Sequence, residues 1–127
     1  MEKYELGLKK KSFSLFFNGG EIWCEHLDSL HGEKELLKQK FEGDLIQISR
    51  PSASSFIIVV LDESDVDREI LDLIVDRFVM LKRPLSKVVF VGLNLKMKGH
   101  VKKRKADISF MMACIDDMEK AKEWLVS

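Results

Sequence analysis

The run FIIVVL at 56–61 is uninterruptedly apolar and rich in β-branched residues, the pattern of a strand covered on both faces. KVVFVGL at 87–93 and ISFMMACI at 108–115 repeat that pattern and predict two more buried strands. Between the first two, Val66, Ile70, Leu73, Ile74 and Phe78 recur at three- and four-residue spacing. That periodicity predicts an amphipathic helix over about 65–81, capped by Ser64 or Asp65 and stopped at Lys82, Arg83 and Pro84. Upstream, the β-prone stretches SFSLFF at 12–17 and EIWCE at 21–25 are joined by Asn18, Gly19 and Gly20, whose freedom at positive φ predicts a tight hairpin. His31–Phe41 reads as a helix with a narrow apolar stripe of Leu36, Leu37 and Phe41 and a stop at Gly43, and SRPSASS at 49–55 reads as a loop. The basic segment Lys96–Lys105 predicts a short helix. Asp116 with Glu119 resembles a capping box for a last helix that docks Ala121, Trp124 and Leu125 inward.

The order is a hairpin, a helix and then three strand–helix units. It predicts a single α/β domain over 1–127: a mixed, mainly parallel β-sheet with an N-terminal β-hairpin and helices packed on it. A chain of 127 residues, 46% hydrophobic and 33% charged, suits one self-folding domain and excludes a collagenous or disordered chain. Cys24 and Cys114 form no CxxC pair or zinc-ligand spacing, so buried thiols in a reducing compartment are expected. The charged start MEKYELGLKKK lacks the apolar core of a signal peptide, and no apolar run approaches membrane-spanning length. A soluble, cytoplasmic protein is the expectation.

Charge adds a polarity that the net value of +0 conceals. Residues 62–81 carry seven acids and two bases, whereas 82–105 carry nine bases and no acid. Such a switch makes either a dipolar surface for a charged partner or two solvated helix faces that attract each other.

The hairpin at 12–25, the junction VVLDESDVDREI at 59–70, KVVFVGL at 87–93 and the ending CIDDMEKAKEWL at 114–125 together resemble the STAS domain, the fold of the anti-sigma-factor antagonists, and especially its SpoIIAA-like branch. The resemblance spans nearly the whole chain. It implies a non-enzymatic regulatory module that binds a protein partner, switched in the best-known members by phosphorylation of a serine or threonine after the central strand. Ser64 is the nearest hydroxyl and therefore the phospho-acceptor candidate. The family motif reads Asp-Ser-Ser/Thr-Gly, whereas this chain has Asp62, Glu63, Ser64 and Asp65. A dianionic phosphate there would face Asp62, Glu63, Asp65 and Asp67, so the reading preferred for Ser64 is a helix cap.

Other constellations carry less chemistry. Asp62 and Glu63 follow one strand and Asp116 and Asp117 another, so both pairs fall at the carboxyl edge of a parallel sheet, where oxygen ligands suit magnesium and helix caps are the commoner use. Cys24, His26 and His31 lack a fourth metal ligand, and no nucleophile–base signature is present. No metal or cofactor is expected. LKMKGHVKKRK at 95–105 holds six Lys or Arg but no aromatic residue to stack a base, which favours a protein partner over nucleic acid. The partner-binding candidates are thus Asp62, Glu63, Asp65 and Asp67 with Lys102, Lys103, Arg104 and Lys105 of the adjoining basic helix. A carrier of an apolar or lipid-like ligand, with Met80, Met97, Met111, Met112 and Met118 lining its pocket, is the alternative, and a doubly wound enzyme the third reading.

Overall fold

The structure is a computed structural model that describes residues 11–127. The charged start of the chain, residues 1–10, lies outside the described residues. Strands β1 (Phe13–Phe17), β2 (Gly20–His26), β3 (Phe56–Val60), β4 (Lys87–Val91) and β5 (Met111–Cys114) form one sheet in the order of the chain. β1 and β2 are antiparallel, and β2 to β5 are parallel. Helices α1 (Lys34–Ile48), α2 (Arg68–Val79) and α3 (Leu95–Arg104) connect the parallel strands, a 3-10 turn at Lys105–Asp107 follows α3, and α4 (Met118–Val126) ends the chain.

The hairpin closes as its sequence predicts: Asn18 (φ 48°) and Gly19 (φ 85°) make a two-residue turn whose twist matches that of the flanking strands. Because the parallel strands are laid down in one direction and such crossovers are right-handed, the three connecting helices must share a face of the sheet. They do. Leu37 and Phe41 of α1, Ile70, Ile74 and Phe78 of α2, and Met97 and Val101 of α3 pack in one core with Trp23, Ile57, Val59, Val88 and Phe90. The opposite face holds a smaller core, where Ala121 and Leu125 of α4 lie on Ile22, Cys24, Ile58, Val60, Val89 and Val91.

Several boundaries move. α1 continues through Gly43 to Ile48, because Gly43 faces open space and the buried Phe41 and Ile48 on either side hold the helix over it. Its carboxyl end is satisfied by Arg83, which donates to the carbonyls of Ile48 (2.7 Å) and Ser54 (2.8 Å). α2 starts at Arg68 with Asp67 as its cap, so neither Ser64 nor Asp65 opens it. The last helix is capped by Asp117, whose side chain accepts from Lys120 N, and not by Asp116. Cys24 is buried as expected, but Cys114, near the end of edge strand β5, is only half-buried. No helix among the described residues is long and apolar enough to cross a membrane.

Candidate interaction site

At the carboxyl edge of the sheet the loops after β2 and β3 run side by side and are stitched together. Leu27 N donates to Val60 O, Ser29 N to Asp62 O, His31 N to Glu63 O, and Asp65 N back to His31 O, at 2.7–2.9 Å. His31 and Ser64 form a parallel bridge that extends the β2–β3 pairing past the strands proper. Holding both loops in this register places three non-glycine residues, Ser29 (φ 61°), His31 (φ 48°) and Glu63 (φ 58°), in the left-handed region. Such residues store about 1 kcal/mol or more each and persist only where their surroundings fix them.

Ser64 is one of the fixing groups. Its hydroxyl donates to Leu27 O (2.6 Å) and accepts from Leu30 N (3.0 Å), so it ties the neighbouring loop instead of starting α2. Asp67 caps α2 by accepting from Ile70 N (2.9 Å), and its other oxygen takes the Lys34 ammonium at 2.9 Å. Lys34, then the Ile70 amide, hold the Asp67 carboxyl below its usual range. Asn94 caps α3 through Met97 N (2.8 Å). At each helix amino end one free N–H is therefore met by the cap's own side chain.

Beside these caps lies an open cleft of about 430 Å³, lined by Lys34, Ser64, Asp65, Val66, Gly92 and Asn94 among others. Gly92 shapes its wall: at φ 94° its backbone comes so near the next loop that a Cβ would sit 2.6 Å from Asp62 N. Its own N–H donates to Asp116 (3.0 Å), which also receives Lys98 at 2.7 Å. Lys98, then the Gly92 amide, lower the Asp116 pKa.

Of the sequence candidates, Asp62, Glu63 and Asp65 are exposed and have no cationic partner among the described residues, whereas Asp67 is held by its cap and by Lys34. Lys34, Gly92 and Asn94 escaped sequence reasoning, although Gly-Leu-Asn directly after an apolar run is a turn followed by a helix cap. The basic group does not join this edge. Helices return antiparallel to the strands, so Lys102–Lys105 lie at the far end of α3, beside the last turns of α2 and one helix length from Asp67. Arg104 is spent there, donating to Asp72 (2.8 Å) and Asp76 (2.6 Å), while His100 meets Asp72 at 2.7 Å. Lys102, Lys103 and Lys105 remain exposed without an ion pair among the described residues.

Among the described residues, no three His, Cys, Asp or Glu side chains gather to hold a metal. Cys24 and His26 do meet, Sγ to Nε2 at 3.4 Å, and the ring's other nitrogen reaches Asp28 at 2.9 Å. Asp28, then Cys24, raise the His26 pKa to about 9. His31 is drawn away to Ser64, and the thiol is 1% exposed. The methionines do not converge: Met97 and Met112 are in the helix-side core, Met118 packs on the opposite face, and Met80 and Met111 are exposed. The chain matches no family model, no curated protein and no solved structure with which it was compared.

Proposed function

We propose that this protein is a non-enzymatic, STAS-like interaction module that binds a protein partner at the carboxyl edge of its sheet. The observation that carries this reading is the loop Asp62–Asp65: three exposed carboxylates without cationic partners among the described residues, held beside an open cleft by backbone stitching and by Ser64. Carboxylates displayed on a rigid loop lose little entropy on binding and suit a partner that offers lysine or arginine. The STAS resemblance supports the same edge, because it places the family's regulated hydroxyl at Ser64. Here that hydroxyl is committed to the neighbouring loop, so the module signals through occupancy of the edge and not through phosphate on Ser64.

The test is to isolate proteins retained by the wild-type chain from its own cells, purify the retained partner, and titrate it against wild type and a variant carrying Asp62→Asn, Glu63→Gln and Asp65→Asn. Binding should weaken roughly tenfold or more in the variant, with association slowed by added salt. Equal affinity for both would overturn the assignment of this edge. A tightly retained small molecule with no retained protein, seen by native mass spectrometry, would overturn the module itself.

A further inference from the structure

The outer face of α3 and the turn after it make a second surface, which starts beside the cleft at Asn94 and runs away from the acidic edge to the opposite pole. On a helix with 3.6 residues per turn, Leu95, Lys96, Gly99, Lys102 and Lys103 fall on one side, and all five are exposed. Lys105 follows directly. Met97 and Val101 point into the core, while Lys98, His100 and Arg104 turn sideways to Asp116, Asp72 and Asp76. Asp72, Asp76 and Asp116 are thus taken up by the flanks of α3, exposed Asp107 follows in the same turn as Lys105, and Lys96, Lys102, Lys103 and Lys105 have no ion pair among the described residues. Two features are unexplained by the fold. Leu95 is 86% exposed, and Gly99 sits mid-helix, where glycine weakens a helix, although a Cβ would meet nothing within 4 Å.

We infer that this stripe is a docking surface for an acidic amphipathic segment of a protein partner, separate from the edge proposed above. Lysines alternating with an exposed leucine and a bare glycine complement a segment whose carboxylates flank apolar side chains, with Gly99 allowing close approach of its backbone. The patch is about 12 Å long, at 1.5 Å per residue from Leu95 to Lys103, and acids close it off at the Leu95 end. That suits a short segment better than a nucleic-acid duplex, whose charge runs on in both directions and would meet Asp62, Glu63, Asp116 and Asp117.

The probe is a fluorescein-labelled helical peptide with glutamates flanking leucines at four-residue spacing, compared with a sequence-scrambled peptide of equal charge, a duplex DNA oligomer, and phosphatidylglycerol vesicles. Binding should be tightest for the patterned peptide. It should weaken roughly tenfold or more when Lys96, Lys102, Lys103 and Lys105 are all replaced by glutamine. It should also weaken in Gly99→Trp, which keeps every charge and blocks close approach. All of these positions are exposed, and circular dichroism verifies each fold. Equal binding of patterned and scrambled peptides, an unaffected Gly99→Trp or quadruple variant, or tighter binding of the DNA or the vesicles would each overturn the proposal.

Discussion

Glu25 is the least expected residue of the helix-side face of the sheet. It is 0% exposed, its Oε1 accepts from Trp23 Nε1 (2.8 Å), and its Oε2 accepts no hydrogen bond from the described residues. Burial, then Asp44 facing it, push its pKa up from 4.5 to about 9. Asp44 moves the other way: burial opposes its ionisation, but Glu25, Ser12 and Lys40 together outweigh that and hold it low. The pair therefore keeps one proton, carried by Glu25 and donated to Asp44. The folded chain retains that proton where the unfolded chain has lost it, so stability falls as pH rises from about 4.5 towards 9. His26, raised from 6.5 to about 9, adds a second decline above pH 6.5. Glu25→Gln keeps an acceptor for Trp23 and a donor for Asp44 without a titrating proton. Its urea midpoint should gain on wild type as pH goes from 5 to 8, and a pH-independent difference would refute the shared proton. Ser64→Ala strands Leu27 O and Leu30 N and should cost about 2 kcal/mol, against about 1 kcal/mol for removing the true cap in Asp67→Ala. Urea unfolding of both variants gives the ranking. A larger loss in Asp67→Ala would restore Ser64 to a minor role.

At the scale of elements, signals that act within a few residues were readable, and those that depend on distant chain were not. The Asn18-Gly19 turn, the β-branched run of β3 and the apolar spacing of α2 each need only their own neighbours, and all three stand where their patterns put them. Ser64 and Asp116 have the chemistry of caps and stand near helix starts. Each was taken by a group far away in sequence, Ser64 by Leu27 and Leu30 and Asp116 by Gly92 and Lys98, and the next suitable side chains, Asp67 and Asp117, became the caps. The charge switch between 62–81 and 82–105 was equally ambiguous in one dimension. In three, part of it is internal, because Arg104 and His100 latch α3 to Asp72 on α2. Burial opposes the ionised Asp72, yet His100 and Arg104 lower its pKa overall. Arg104→Gln should therefore lower stability by about 1 kcal/mol, as expected for a partly exposed network. Lys103→Gln, at a site without an ion pair among the described residues, should leave the urea midpoint unchanged. If the two variants unfold alike, the latch contributes nothing.

The whole molecule is two unequal cores on one sheet. Among the described residues, three helices cover the side that holds Trp23, Ile57 and Phe90, whereas the other side is covered by the nine residues of α4. A helix that short has no stability of its own, so α4 exists because Ala121 and Leu125 are buried against β3 and β4, and because Asp117 satisfies its first turn. Lys87 reinforces the far end, donating to the Trp124 carbonyl at 2.9 Å with its ammonium 5.1 Å from the indole centroid. Without α4, Ile22, Ile58, Val60, Val89 and Val91 would form an uncovered apolar face on the inner strands, which proteins rarely tolerate in water. Leu125→Ala should cost about 2–4 kcal/mol, the usual range for emptying a fully buried leucine site. It should also lower amide protection across α4 and raise binding of an apolar dye, while the β3 and β4 amides exchange only through global unfolding. Ile74→Ala, in the larger core, should cost a similar amount but lower protection through the sheet as a whole, because α2 packs within a core that three helices share. Identical exchange patterns in the two variants would mean that both faces unfold as a single unit, and α4 would then be as integral to the fold as the helices opposite.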